Sequence, residues 1–151
     1  MHATRFIESI SLRCPRACVF DYTQDYGQRL VWDTFLREAV LLHGAERAGP
    51  GVKAWCVSWH GLGMETEYVS FNPPAVTAVK MTRGPWMFAS FAGSWKFDAV
   101  DADTTLVTFT YSFALRPVLR PLTPAVRWSL VRNVRGRLKD LKARLEAPAS
   151  R

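Results

Sequence analysis

Four polar side chains in this sequence are of types that could hold an apolar ligand or do chemistry on it. Tyr68 and Tyr111 carry hydroxyl groups that can hydrogen-bond a ligand carbonyl or hydroxyl, and a buried tyrosine hydroxyl needs a partner in any case. His60 lies beside a glycine-rich turn and could serve as a general acid or base near neutral pH. Asp33 could also serve as a base, or could be a carboxylate on the surface or cap of a helix.

The larger arrangements that enzymes use do not stand out in the sequence. There are no paired carboxylates, no Ser/His/Asp order and no glycine-rich phosphate loop. The possible metal ligands are three cysteines and three histidines, namely Cys14, Cys18, Cys56, His2, His43 and His60. Their spacing fits neither a CxxC redox motif nor a zinc site, and an odd number of cysteines argues against a disulfide framework. We therefore predict no catalytic residue, no metal and no cofactor.

The composition favours one globular domain over residues 1–151. Hydrophobic residues make up 48% and charged residues 22%, and the chain is long enough to bury a core. No stretch reaches the roughly 18 apolar residues of a membrane span. The first residues lack the apolar segment of a signal peptide, so we expect a cytoplasmic protein.

The net charge of +7 is concentrated near the C-terminus, where residues 116–151 contain ten Lys and Arg but only two acidic residues. Such a segment can contact an anionic lipid surface, nucleic acid or an acidic partner, or it can simply be solvated. Nucleic-acid binding is not expected, because the aromatic segments contain few Lys or Arg. Weak contact with an anionic surface is left open, and the sequence does not determine the oligomeric state.

Hydrophobic periodicity predicts the elements that must position these groups. Residues 5–13 alternate as a first strand, and two short helices follow, one over residues 17–21 and one around Leu30 and Trp32. A strand over 38–43 and a turn over 44–51 lead to five strand candidates, within 52–61, 64–74, 75–85, 86–101 and 104–117. The short loops between them indicate an antiparallel meander. Gly93, inside one candidate strand, predicts a bulge or bend that curves the sheet.

A long amphipathic helix is predicted after the strands. Thr123 would be its N-cap and Pro124 its first residue, following a Pro-rich linker in residues 114–124. Its apolar stripe recurs at steps of three and four and consists of Val126, Leu130, Val134, Leu138, Leu141 and Leu145. Basic residues fill most of the other positions, and Pro148 lies beyond the predicted end.

Alternation within the strands predicts which side chains share a face of the sheet. The three apolar faces are Trp55, Val57 and Trp59 in an early strand, Phe91, Gly93, Trp95 and Phe97 in a later one, and Val107, Phe109, Tyr111, Phe113 and Leu115 in the last. We expect these faces to point toward the long helix. Aromatic residues at a period of two can simply fill a core, so alternation alone does not predict a cavity.

Five short segments carry a resemblance to a known superfamily. They are Val19-Phe20-Asp21-Tyr22, Trp32-Asp33, Glu67 to Phe71, Phe91 to Trp95, and Thr108 to Phe113. With the order of the elements, they make residues 5–146 resemble the START-related or Bet v 1-like (SRPBCC) superfamily, and within it the polyketide cyclase/dehydrase and lipid-transport branch. The resemblance implies an α+β helix-grip fold, with a curved antiparallel sheet of six to seven strands around a long C-terminal helix and two short helices after the first strand.

The same resemblance implies an internal apolar cavity with a hydrophobic small-molecule ligand. The candidate ligand-binding residues are Trp55, Trp59, Tyr68, Phe91, Trp95, Phe97, Phe109, Tyr111, Phe113, Val134 and Leu138. We expect a binder or carrier of a lipid, polyketide, isoprenoid or quinone. Two alternatives stay open: a cyclase or dehydratase that uses the same cavity, and an interaction protein that works through its basic helix.

Overall fold

The computed structural model describes residues 3–146 and shows a seven-stranded antiparallel sheet with a long helix lying across it. The elements in chain order are β1 (Thr4–Leu12), α1 (Arg16–Gln24), α2 (Arg29–Trp32), β2 (Leu36–Leu41), β3 (Lys53–Ser58), β4 (Gly63–Asn72), β5 (Val76–Arg83), β6 (Phe88–Asp101), β7 (Thr104–Leu115), a 3-10 helix (Pro117–Leu122) and α3 (Thr123–Leu145). The predicted helix-grip fold is confirmed. Pro148 lies outside the described residues.

The sheet order is β1-β7-β6-β5-β4-β3-β2. Each strand from β2 to β7 pairs with its neighbour in sequence, as the short loops predict, while β1 pairs with β7 along its whole length from Thr4 to Leu12. The two short helices are therefore the connection that carries the chain from one edge strand to the other. This long connection places α1 and α2 on the same side of the sheet as α3, where they help to close its concave face.

Two local predictions are wrong, the N-cap at Thr123 and the bulge at Gly93, while the alternative of a bend at Gly93 stays a prediction. Thr123 is already helical and caps nothing, because the Pro-rich linker forms a 3-10 helix that runs directly into α3. Gly93 lies in regular pairing opposite Tyr111 and is not a bulge; the register shifts of β6 lie near its two ends. A Cβ atom at Gly93 would lie 2.9 Å from Cε1 of Tyr111, so glycine is needed there to let the tyrosine ring lie across the strand.

The core lies between one part of the sheet and the second half of α3. Strands β1, β6 and β7 contribute Leu12, Phe97, Val107 and Phe113, and α3 contributes Val134, Leu138 and Leu141, all buried. α3 packs against β1 and β7 and touches α2. The first half of α3, from Thr123 to Asn133, contains no buried residue. The apolar stripe predicted for this helix therefore meets two different environments.

Candidate functional site

A cavity of about 450 Å³ lies between the first half of α3 and the concave face of the sheet. Its wall on the helix side includes Val126, Leu130 and Arg137, and its wall on the sheet side includes Met64, Thr66, Tyr68, Thr77, Val79, Phe91, Trp95, Phe109 and Tyr111. The lining is mainly apolar with a few polar groups, and the volume is in the range of small-molecule sites, about 300–1,000 Å³.

The mouth of the cavity lies where its lining residues are exposed to solvent. His60 and Leu62, in the turn between β3 and β4, are exposed, and so is Ser129 in the first half of α3. Pro85 and Met87 line the cavity from the turn between β5 and β6 and are half-buried. Residues of three segments therefore surround the opening.

Five of the residues predicted to bind ligand line the cavity: Tyr68, Phe91, Trp95, Phe109 and Tyr111. The rings of all but Tyr68 form a connected series of edge contacts, with centroid distances of 4.5 Å from Trp95 to Phe109, 4.6 Å from Phe109 to Tyr111 and 4.7 Å from Tyr111 to Phe91. Such edge-to-face packing holds the rings in fixed positions. Their role in binding stays a prediction.

Trp55 and Trp59 do not line the cavity. Trp55 lies on the convex face of β3, with its ring over Gly63 and the Arg83 guanidinium 5.9 Å from its centroid, and Trp59 follows the strand and is 66% exposed. Cys56 and Ser58 occupy the concave face of β3. Alternation separates the two faces of a strand but does not say which is concave, and here the smaller residues point inward.

Phe97, Phe113, Val134 and Leu138 also lie away from the cavity, because other elements fill the space around them. Phe97 lies under α1, 5.4 Å from the ring of Phe20, and is completely buried. Phe113 contacts Phe88 at 6.1 Å, and the two α3 residues belong to the same packed core. Each such side chain stabilises the fold by about 1.5–3 kcal/mol through burial. The structure thus places these four in the core.

A buried ion cluster forms part of the cavity wall and was not predicted. Asp33 is completely buried at the end of α2 and accepts hydrogen bonds from Arg29 and Arg137. Nε of Arg29 lies 2.9 Å from Oδ2 of Asp33, and Nη2 of Arg137 lies 2.8 Å from the same oxygen. Arg137 also donates through Nη1 to the Tyr111 hydroxyl at 2.8 Å. The cluster therefore joins α2, α3 and β7 at the cavity.

The charges of this cluster fix its protonation states. Burial opposes ionisation of Asp33, yet the charges of Arg137 and Arg29 and their hydrogen bonds hold the pKa of its carboxyl below the ordinary value of 3.8. Burial likewise disfavours the charged form of Arg137, but Asp33 and Tyr111 raise the pKa of its guanidinium above the ordinary value. At neutral pH the cluster holds one negative charge and two positive charges.

Asp33 is thus neither a surface carboxylate nor a free base, since both of its oxygens accept from arginine. Arg137 was overlooked although its position indicated burial: it lies three residues after Val134 and four before Leu141, within the apolar stripe. Arg29 and Asp33 stand four residues apart, a spacing at which a helical turn can bring opposite charges together. These two signals could have identified a buried Arg137 and an Arg29–Asp33 ion pair, but not the contact that joins them into one cluster.

A second polar network surrounds Tyr68. Its hydroxyl donates to Oε1 of Gln24 at 2.7 Å and lies 3.4 Å from the hydroxyl of Tyr26. Burial, and then the neighbouring Tyr26, raises the pKa of the Tyr68 hydroxyl, so it stays protonated. The proton of Tyr68 is therefore engaged within the protein. The Tyr111 hydroxyl, in contrast, accepts from Arg137, which leaves its own proton free to be donated.

No group of three His, Cys, Asp or Glu side chains within residues 3–146 is arranged to hold a metal ion. Burial raises the pKa of the Cys56 thiol, which favours its neutral form in the cavity wall. Among the described helices, none combines the length and hydropathy needed to cross a membrane.

The chain is similar to known proteins along almost its whole length. A family model described as polyketide cyclase / dehydrase and lipid transport matches residues 3–146. Similar solved structures include a START superfamily protein from Mycobacterium smegmatis, 11% identical with a TM-score of 0.76, covering 94% of this chain and 97% of that one.

Two further structures show the same likeness. The Zhui aromatase/cyclase from a Streptomyces species is 16% identical with a TM-score of 0.76, covering 99% of this chain and 100% of that one. A protein from Thermus thermophilus is 18% identical with a TM-score of 0.81, covering 97% and 100%. No curated protein matches the chain. At these identities the structural likeness establishes the fold alone.

Proposed function

The chain belongs to the polyketide cyclase / dehydrase and lipid transport family, and on that premise we propose that it binds or carries an apolar small molecule in the cavity beside α3. The ligand is a lipid, polyketide, isoprenoid or quinone. The observation that carries the proposal is a mainly apolar cavity of about 450 Å³ that the protein's own side chains leave unfilled. A hollow interior forgoes packing contacts, and an apolar guest restores them. The cytoplasmic location expected from the sequence stays a prediction.

The first test is binding of a neutral apolar dye, N-phenyl-1-naphthylamine, followed by its fluorescence. We expect saturable binding by the wild-type protein. The matched variants are Val79→Trp, which places an indole in the cavity, and Val69→Trp, which places the same group on the exposed outer face of β4. Val79→Trp should weaken binding at least about tenfold, because the added ring occupies the ligand volume, and Val69→Trp should leave binding unchanged.

Circular dichroism and thermal unfolding establish that both variants are folded. Native mass spectrometry and solvent extraction of the purified protein provide an independent measurement, and an apolar molecule should co-purify at a stoichiometry near one. Absence of any bound apolar molecule, whether the dye, a co-purifying ligand or another apolar probe, would contradict the proposal, and so would equal dye binding by the two variants.

An enzyme that uses the same cavity is the alternative, and the observation that favours it is that His60 and Tyr111 both line this cavity. A cyclase or dehydratase would fold its substrate by positioning it and would move a proton with one of these groups. Turnover of a polyketide-like substrate should then fall in Tyr111→Phe or His60→Ala, while circular dichroism shows that both variants remain folded. A substrate bound without turnover by the wild type would argue for a carrier.

A second candidate function is contact with an anionic membrane surface near the cavity mouth. Trp128 of α3 is 63% exposed, the Arg132 guanidinium lies 5.4 Å over its ring, and Val118 and Leu122 nearby in sequence are exposed as well. Aromatic and basic side chains together are typical of surfaces that meet lipid headgroups. Reversing the charges of Arg132, Arg135 and Lys139 should then abolish sedimentation with anionic vesicles at low salt. Binding that survives this change would remove the candidate.

A further inference from the structure

The ion cluster leaves the cavity wall with an excess of positive charge. Arg29 and Arg137 both line the cavity and are only 7% and 8% exposed. Asp33 lies behind them and is their single carboxylate partner. No Asp or Glu occurs among the described residues that line the cavity. The wall therefore carries two arginine charges against one buried carboxylate, which leaves one positive charge unbalanced.

The hydrogen bonds show which arginine has donors without an acceptor. Arg137 directs Nε and Nη2 at Asp33 and Nη1 at the Tyr111 hydroxyl, so its guanidinium is engaged on every nitrogen. Arg29 donates to Asp33 through Nε alone, and neither of its terminal amino groups has a hydrogen-bond acceptor among residues 3–146. Neither of those amino groups is completely buried. Arg29 thus has free donors at the edge of the cavity.

A buried guanidinium without a balancing anion is unfavourable, because water is removed and no opposite charge replaces it. Arg29 is partly compensated by the ring of Trp32, whose centroid is 5.0 Å from its Cζ. A ring face offers no acceptor for the terminal N–H groups, however. The remaining charge and donors call for an anion that enters from the cavity.

The Tyr111 hydroxyl adds a neutral donor near the same place. Because its oxygen accepts from Nη1 of Arg137, its proton is directed elsewhere, and no acceptor for that proton occurs in the part of the chain that the structure describes. Charged and neutral donors, linked through Asp33 and Arg137, therefore both line a cavity that is otherwise mainly apolar.

We propose that Arg29 and Tyr111 bind the carboxylate of a ligand whose remaining body is apolar, while Arg137 holds the Tyr111 hydroxyl in place. This inference rests on the proposed function, since it names the class of the apolar ligand. A carboxylate matches the single unbalanced charge, and its two oxygens suit the parallel donors of a guanidinium. The apolar body then lies along Phe91, Trp95 and Phe109 toward the mouth.

The test compares three probes with the same ten-carbon chain: decanoate, methyl decanoate and decanol. Each displaces N-phenyl-1-naphthylamine from the wild-type protein at pH 7.5, where decanoate is ionised and the other two are neutral. We expect decanoate to bind about tenfold to a hundredfold more tightly than either neutral probe, the range for hydrogen bonds to a charged group. Equal affinities would overturn the inference while leaving the proposed function intact.

The matched variants are Arg29→Met, which removes the unbalanced charge, and Arg132→Met, which removes an exposed charge on α3. Arg29→Met should abolish the preference for decanoate over decanol. Arg132→Met should retain the preference. Loss of the preference in both variants would indicate a general electrostatic effect and would contradict a specific site.

Isothermal titration of the wild-type protein with decanoate measures the charged site without the dye. If the dye fails to bind but decanoate binds with the expected preference over decanol, the carboxylate site stands and the dye is the wrong shape. If neither binds, the inference and the proposed function both fail.

Discussion

The two halves of α3 meet the same sheet in different ways. In the second half, Val134, Leu138 and Leu141 are buried against β1, β7 and their neighbours. In the first half, Val126 and Leu130 are only half-buried and line the cavity. The apolar spacing is the same in both halves, so a continuous stripe does not mean continuous packing. What differs is how completely the space is filled: the second half meets a packed core, whereas the first half faces an unfilled cavity whose wall includes smaller side chains such as Thr66 and Val79.

The largest effect is expected at the ion cluster, which lies between the two halves. Asp33→Asn keeps the shape of the side chain but leaves two buried guanidinium groups without a carboxylate. We expect a loss of about 3–5 kcal/mol in the free energy of unfolding, as is typical when one member of a buried ion pair is removed. Urea unfolding measures it. The control is Asp98→Asn in β6, an exposed carboxylate 3.9 Å from Lys96, where the loss should stay below about 1 kcal/mol.

The same cluster predicts a dependence of stability on pH. Because the pKa of Asp33 is lower in the folded protein than its ordinary value of 3.8, its ionisation stabilises the fold fully above that value. This contribution is lost as the pH falls through the folded-state pKa. The stability difference between wild type and Asp33→Asn should therefore be constant above about pH 5 and shrink in stronger acid. Glu65 and Glu146, whose pKa values are also lowered, contribute equally to the pH dependence of stability of both proteins and cancel in the difference. A difference that grows on acidification would contradict the assignment.

The next largest effect is predicted for leucine-to-alanine substitution, and its size should differ between the two halves of α3. Leu141→Ala removes a fully buried side chain and should cost about 2–5 kcal/mol, including the cavity left behind. Leu130→Ala enlarges a cavity that already exists and removes a half-buried side chain, so we expect roughly 1 kcal/mol. Chemical denaturation of the two variants measures both. Equal losses would mean that the first half is as tightly packed as the second.

The smallest effect is expected at Gly136, close to the junction between the two halves. A Cβ atom there would meet nothing within 4 Å, and the residue lies inside the helix. Gly136→Ala should stabilise the protein by about 0.5–1 kcal/mol, because it reduces the freedom of the unfolded chain. Thermal unfolding measures the gain, and dye binding should not change. Slower dye binding in this variant would instead identify the junction as a hinge.

Much of the fold followed from the sequence, because it depends on local periodicity. The strand candidates predicted β3 to β7 to within a few residues, and the stripe of α3 predicted its length. The faces of β6 and β7 were also predicted correctly, since large aromatic residues there point toward the helix. The same reasoning failed for β3. Trp55 lies on the convex face of β3 and Trp59 follows the strand, so neither points toward the long helix. The expectation that aromatic residues lie in the interior was wrong here.

The candidate site followed from the sequence only in part. Tyr68 and Tyr111 were selected for their hydroxyl groups, and both line the cavity. The sequence did not reveal that one hydroxyl is engaged with Gln24 and the other with Arg137, because these partners lie 44 and 26 residues away along the chain. It also gave no reason to link Asp33 with Arg137, which stands 104 residues later.

The sequence by itself determined the helices and strands, their order, and the apolar and polar faces of each, because these depend on residues a few positions apart. Only the tertiary structure decided which faces are concave, which half of α3 is filled and where the buried charges meet. These outcomes depend on the curvature of the sheet and on how the long connection through α1 and α2 brings distant segments together. Curvature and long-range contact are properties of the whole chain, and no local pattern encodes them.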